Sequence, residues 1–272
     1  MNNIRKPAVA GMFYPSDPSE LKKQIDALMK RNIPPKKFNN IFGIIVPHAG
    51  YIYSGATAAF AYNTIADKRY KTVIVISPSH REYFQGISIY AGDYYETPFG
   101  KIPINKLMRD KIACSDKNIR LGNVGHGPEH ALEVQLPFLQ VALLDFTLVP
   151  IVIGDQNRKY VFNLAEALAG AVDKDTLIVA STDLSHFYSR AKAQILDKII
   201  IDKISEFNYD ALQEKLEERN CEACGGGCIV ALLKTAELKG VKNSTILNYS
   251  DSGYVTKDTS EVVGYLSAVI HG

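Results

Sequence analysis

The chain has 272 residues, with 31 Lys plus Arg against 29 Asp plus Glu, and a formal net charge of +2. Hydrophobic residues make up 46% and charged residues 22%, which excludes a disordered protein, a collagen-like fibre and a polybasic nucleic-acid binder. The length is enough to bury roughly 70–75% of the unfolded surface, so the core needs no disulfide staples.

Residues 1–15 hold no apolar run of secretory length, which points to a cytoplasmic protein with reduced thiols. Asp17, Pro18 and Glu20 form a helix start: an N-cap, a proline at the first helical position and an acid at the third. Leu21, Ile25, Leu28 and Met29 continue it at helical spacing. Residues 38–66 carry no Asp, Glu, Lys or Arg and are long enough to cross a bilayer. However, Pro47, His48, Gly50 and Ser54 interrupt them. A buried strand over 42–46, a turn and a helix over 56–66 account for the segment better, and no membrane partner is expected.

Residues 72–76 (TVIVI) predict a second buried strand, and residues 86–100 a more exposed β excursion. Ile104, Leu107, Met108 and Ile112 predict a helix, and the polar, Gly-rich residues 114–128 a long loop. The segment EHALEVQLPFLQVALL is helical in pattern, with Pro137 expected to kink it or to mark its first turn. Strands follow over 147–153 and 176–180, separated by a helix over 161–172. Helices over 189–206, 209–219 and 226–238 precede closing strands over 244–249 and 262–270. This alternation predicts a single α/β domain spanning residues 1–272, with a largely parallel or mixed central sheet flanked by helices.

The chemistry-bearing residues are six His and four Cys. FGIIVPHAG, TVIVISPSH and TLIVASTDLSH each run a buried strand into a histidine, namely His48, His80 and His186, the last preceded by Asp183. Ligands in open α/β sheets bind beyond the carboxyl ends of the strands, so one topology would put all three imidazoles on one rim. Cys221, Cys224 and Cys228 stand as C-x2-C-x3-C, one ligand short of a structural zinc site. Cys228 opens an apolar helix and reads as core. Cys224 precedes three glycines at a helix start, where backbone N–H groups lower a thiol pKa. GHGPEHALEVQLPFL adds His126, Glu129 and His130, with Glu129 either complementing a helix dipole or serving a pocket. Tyr51 and Tyr53 follow His48 closely enough to line the same pocket. Cys114 reads as a bystander and His271 as a terminal surface residue. Two imidazoles plus an anionic third ligand suit a redox metal with open positions, and a thiolate in third place shifts preference towards Cu(I). Asp183, His186, Glu129 and Cys224 all compete for that third place.

RKPAVAGMFYP (5–15), PHAGYIYSG (47–55), SPSH (77–80), GPEHALEVQLPF (127–138), STDLSH (181–186), CGGG (224–227) and NYSDSG (248–253) together resemble the Memo family. Its bacterial and archaeal members are often named the B component of the AmmeMemoRadiSam system. The resemblance runs through nearly the whole chain in order. It implies the fold of the class III extradiol dioxygenases and a single iron or copper ion. It implies His48, His80 and Cys224 as metal ligands, His186 beside Asp183 as the acid–base position, and His130 as a further pocket residue. Cys221 and Cys228 depart from the family pattern; a disulfide to Cys224 or extra metal ligation are the roles open to them.

Three functions follow for comparison. The first is a metal-dependent oxidoreductase, dioxygenase-like, acting on a small molecule or peptide. The second is a non-enzymatic iron or copper binder, or a partner of a radical enzyme. The third is a metal-independent hydrolase with Cys224 as nucleophile, His186 as base and Asp183 as orienter. Specificity is expected from the pocket, since there is no broad basic field.

Overall fold

The structure is a computed structural model and describes residues 3–66, 68–143 and 145–272. Its elements run β1 (Ile4–Arg5), α1 (Pro18–Arg31), β2 (Ile41–Val46), α2 (Tyr51–Ile65), β3 (Thr72–Pro78), β4 (Ile87–Tyr90), β5 (Tyr94–Thr97) and β6 (Gly100–Pro103). They continue α3 (Lys106–Ala113), β7 (Ile119–Gly122), α4 (Gln135–Ala142), β8 (Thr147–Ile153), α5 (Arg158–Ala171), β9 (Thr176–Ser181) and β10 (His186–Tyr188). The chain closes with α6 (Arg190–Ser205), α7 (Tyr209–Glu217), α8 (Gly226–Leu238), β11 (Asn243–Asp251), α9 (Gly253–Thr256) and β12 (Val262–His271).

One nine-stranded mixed sheet organises these elements, in the order β10-β12-β2-β9-β3-β8-β4-β7, with β11 also paired to β12. Its centre, β2-β9-β3-β8, is wholly parallel. Antiparallel pairing flanks that centre at β12 on one side and β4 on the other. Helices cover both faces, which is why β3 and β9 are buried along their whole length and read as unbroken apolar runs. Leu21 and Ile25 of α1, with Ala59 and Tyr62 of α2, pack on one face beside Val73 and Val75. Leu164 of α5, Ile200 of α6 and Leu232 of α8 pack on the other, beside Ile74 and Ile76. Asp17 caps α1 as its sequence predicts, accepting from the backbone N–H groups of Ser19 and Glu20 at 2.9 Å. Among the described residues, no helix is long and apolar enough to cross a membrane.

Several expectations need correction. The helix expected over 56–66 starts at Tyr51, because Gly50 is extended and Tyr51 N–H donates to Phe13 O at 2.8 Å, which fixes the chain entry. The β excursion over 86–100 is split. β4 is fully buried in the main sheet, whereas β5 and β6 form a separate small sheet with β1. The loop over 114–128 contains β7, which pairs in parallel with β4. The helix expected from residue 129 begins only at Gln135, with Pro137 in its first turn, one of the two places expected of it. His271 is half-buried in β12, with Nε2 3.1 Å from Thr245 Oγ1.

Candidate metal centre

Because β2, β9 and β3 run parallel and side by side, their carboxyl ends open onto one edge. Val46 stands opposite Ser181, and Ile76 opposite Ala180. His48 leaves β2 two residues beyond its end and His80 leaves β3 two residues beyond its own, so the two histidines flank the end of β9. Their ring centroids lie 5.1 Å apart, edge to face. Cys224 reaches the same point from the loop before α8. Asp183 N–H donates to Cys224 Sγ at 3.1 Å, and Cys224 N–H to Asp183 O at 3.2 Å. That loop crosses the end of β9 at contact distance because residue 225 is glycine: a Cβ there would lie 2.2 Å from Ser181 O.

The ligand-capable atoms of His48, His80 and Cys224 all lie within 4.8 Å of one another, and Cys224 Sγ is 3.0 Å from His48 Nε2. His48 is buried, while the His80 side chain is 28% exposed and marks the solvent side of the cluster. Burial, reinforced by the neighbouring imidazoles, holds the His48 pKa well below its ordinary value, so a lone pair is available without deprotonation. Burial pushes the Cys224 thiol up. The lowering expected from the helix N-terminus therefore does not prevail, and without a metal the sulfur stays protonated. The donor set of two imidazoles and one thiol, gathered from three separate segments, fits a single first-row transition metal with open positions.

Around this cluster the structure places the other expected residues in distinct positions. His130 sits against both histidines of the cluster, with ring centroids 4.8 Å from His80 and 5.5 Å from His48. Its Nδ1 is buried 3.3 Å from Glu129 Oε1 without the geometry of a hydrogen bond, and burial lowers its pKa to about 4. Glu129 is not at a helix N-terminus. Its carboxylate accepts from the His80 ring at 3.0 Å and from the N–H groups of His130 and Ala131 at 2.9 Å. Asp183 does not orient His186. Its carboxylate accepts from His48 N–H at 2.8 Å, and burial raises its pKa to about 7. His186 opens β10 and lines an open cleft of about 630 Å³ together with Cys224, Cys221, Glu222 and Gln156. All four cysteines are free. Among the described residues, neither Cys221 nor Cys228 joins the donor cluster: Cys221 is buried at the cleft wall and Cys228 is core in α8. Tyr51 is buried with its hydroxyl on Val134 O at 2.7 Å, so it braces the site without lining it. His126 is buried away from the cluster, against Tyr95.

Comparison with known proteins identifies the family. The Memo-like protein family matches residues 5–269. The chain belongs to that family. A MEMO1 family protein of Thermoplasma volcanium is 37% identical over 268 residues, covering 98% of each chain. A MEMO1 family protein of Nitrosopumilus maritimus is 34% identical over 268 residues, covering 96% of this chain and 98% of its own. A MEMO1 family protein of Aquifex aeolicus is 37% identical over 272 residues. Among solved structures, an uncharacterized protein from Escherichia coli K12 superposes with a TM-score of 0.57 at 15% identity, covering 85% of this chain and 99% of that one. That likeness speaks for the fold alone. The Memo segments of this chain are the ones that build the cluster: PHAGYIYSG brings His48, SPSH brings His80, and CGGG brings Cys224.

Proposed function

We propose that this Memo-family protein holds one iron or copper ion on His48, His80 and Cys224 and works as a dioxygenase-like redox protein. The observation that carries the reading is the convergence of three ligand-capable atoms, from three segments distant in sequence, within 4.8 Å of one another. When bound, the metal supplies one-electron chemistry and a Lewis acid. The chain supplies the rest. Glu129 aims the His80 ring and Asp183 fixes the turn that carries His48. His130, whose Nδ1 makes no hydrogen bond but lies 3.3 Å from Glu129 Oε1, and His186, facing the cleft, are the groups available to take or give a proton. The cleft next to Cys224 offers room for a small molecule or the tip of a peptide. The free thiols suit the reducing cytoplasm.

A second reading rests on the sulfur donor. Cu(I) favours thiolate, so a copper-holding protein without turnover, or a partner of a radical enzyme, shares the same site. A metal-independent hydrolase is disfavoured, because the imidazole at hydrogen-bond distance from Cys224 is His48, not His186. Purified protein from metal-replete cells is expected to carry one metal per chain, identified by its X-ray absorption edge, and His48→Ala should lose it. Protein that stays metal-free through reconstitution sinks the proposal. Oxygen consumption across a panel of catechols separates the first reading from the second.

A further inference from the structure

His48 Nδ1 lies 2.9 Å from Ser181 Oγ, and the hydrogen-bond chain behind that contact has only one consistent direction. Gln135 Nε2 is 2.9 Å from Pro47 O and 2.8 Å from Ser181 Oγ. A carbonyl can only accept, so the atom facing Pro47 O must be the amide nitrogen. The Gln135 oxygen then faces the other way, where Tyr62 O–H donates to it at 2.7 Å. With its nitrogen so placed, Gln135 donates its second N–H to Ser181 Oγ. Ser181 Oγ lies 2.7 Å from Ala131 O, a second carbonyl that can only accept, so the single hydroxyl hydrogen is committed there. Ser181 Oγ is left with one free lone pair, and that lone pair faces His48 Nδ1. The ring nitrogen must therefore carry the hydrogen. Tyr62, Gln135, Ser181 and His48 are all buried, so water does not compete for these positions.

We propose that Ser181 and Gln135 are positioning residues that hold His48 as its Nδ1–H tautomer, leaving Nε2 bare and aimed at Cys224 and the metal position. Two backbone carbonyls, Pro47 O and Ala131 O, set the polarity of the relay. Ligand-orienting partners of this kind are worth about 10–100-fold in metal affinity. The affinity consequence rests on the metal reading above; the tautomer does not.

The test is nitrogen NMR of metal-free protein labelled with 15N in histidine. The His48 resonances, assigned with His48→Gln, are expected to show a protonated Nδ1 and a bare Nε2 at neutral pH. Ser181→Ala should shift that ratio towards the Nε2–H form and weaken Co(II) binding about 10–100-fold, and Ser181→Thr, which keeps the hydroxyl, should recover both. A wild-type spectrum with Nε2–H or an even mixture overturns the relay, whatever the variants do. Ser181→Ala that folds with tautomer and affinity unchanged also overturns it. A wild-type Nδ1–H spectrum in protein that takes up no metal leaves the relay standing and sinks the metal reading instead. If Ser181→Ala fails to fold, the wild-type spectrum still decides.

Discussion

Arg5 and Glu133 form an ion pair across 128 residues of sequence, with 6% of the arginine side chain and none of the glutamate side chain exposed. Neither charge stands alone. Glu133 also accepts from Ala8 N–H at 2.7 Å, Val9 N–H at 3.0 Å and Tyr14 O–H at 2.5 Å. Arg5 donates to the carbonyls of His126, Gly127 and Glu129. The pair thus ties the N-terminal segment to the stretch that carries Glu129 and His130. Glu133→Gln removes one charge and leaves the other buried, which should cost about 3–5 kcal/mol. Urea unfolding checks this. The double variant Arg5→Met/Glu133→Leu should lose less than Arg5→Met and Glu133→Leu lose when added together. Simple additivity would show that the two groups do not act as a pair.

Glu129 is the contact through which that anchoring reaches the cluster. Burial pushes its pKa up, but the His80 ring and the N–H groups of Ala131 and His80 outweigh this and bring it to about 2. It therefore stays ionised throughout the physiological range and can accept on both oxygens. Glu129→Gln keeps its oxygen where the His80 ring and the N–H groups of His130 and Ala131 converge, and sets its NH2 against His80 N–H, which pushes His80 out of place. Metal affinity should fall about 10–100-fold while the fold survives. A thermal-shift series with added metal reads it out. The wild type should gain about 2.7 kcal/mol at a metal concentration of 100 Kd, and Glu129→Gln should need proportionately more metal for the same gain. Equal metal dependence for the two proteins would deny Glu129 this role.

His126, which the sequence leaves without a role, supplies a pH dependence remote from the His48, His80 and Cys224 cluster. Its Nδ1 lies 2.6 Å from the Tyr95 hydroxyl and its Nε2 3.3 Å from Ser88 O, so Nε2–H donates and Nδ1 accepts. Burial lowers its pKa from 6.5 to about 3, and the Arg5 charge pushes the same way. Between those values the unfolded chain binds a proton that the folded chain refuses. Stability from this residue is therefore complete above pH 6.5 and is lost as pH falls towards about 3. The slope is at most ~1.4 kcal/mol per pH unit. His126→Gln should lower stability at pH 7 yet flatten the decline between pH 6 and 4. Unfolding curves collected across that range test it, and parallel declines for the two proteins would count against a buried neutral imidazole.

The parallel centre of the sheet was readable because each strand is sandwiched between helices and therefore apolar on both faces. Residues 147–153 and 176–180 coincide with β8 and β9 to within a residue. The strands that escaped detection, β1, β7 and β10, are two to four residues long, and their existence depends on neighbours distant in the chain. In β7, Arg120 and Leu121 are exposed, so no apolar run announces it. His48 and His80 were legible because each follows a buried parallel strand. Cys224 was not separable from its rivals by spacing alone, since its position depends on a loop lying against the end of β9. The partners of Asp183 were hidden for a similar reason. Nearness in sequence suggested His186, whereas the adjacent strand delivers His48 N–H.

Gly225 makes the placement of Cys224 testable without changing a residue of the His48, His80 and Cys224 cluster. The added methyl of Gly225→Ala would lie 2.2 Å from Ser181 O and 2.9 Å from Thr182 Cβ, so the loop must lift off the strand end. Lifting strains two bonds that seat the loop, Gly225 N–H to Thr182 Oγ1 at 3.0 Å and Cys224 N–H to Asp183 O at 3.2 Å. It also draws Cys224 Sγ away from its position 3.0 Å from His48 Nε2. Forcing atoms into a packed site costs about 1–3 kcal/mol. Co(II) titrated into Gly225→Ala should therefore lose the sulfur-to-metal charge-transfer band while weaker binding through the histidines persists. Gly170→Ala is the matched control. It lies in α5 with nothing within 4 Å of an added Cβ, so it should leave the spectrum unchanged and stabilise the helix by about 1 kcal/mol. An intact charge-transfer band in Gly225→Ala would mean that the close approach of this loop does not set the position of the thiolate.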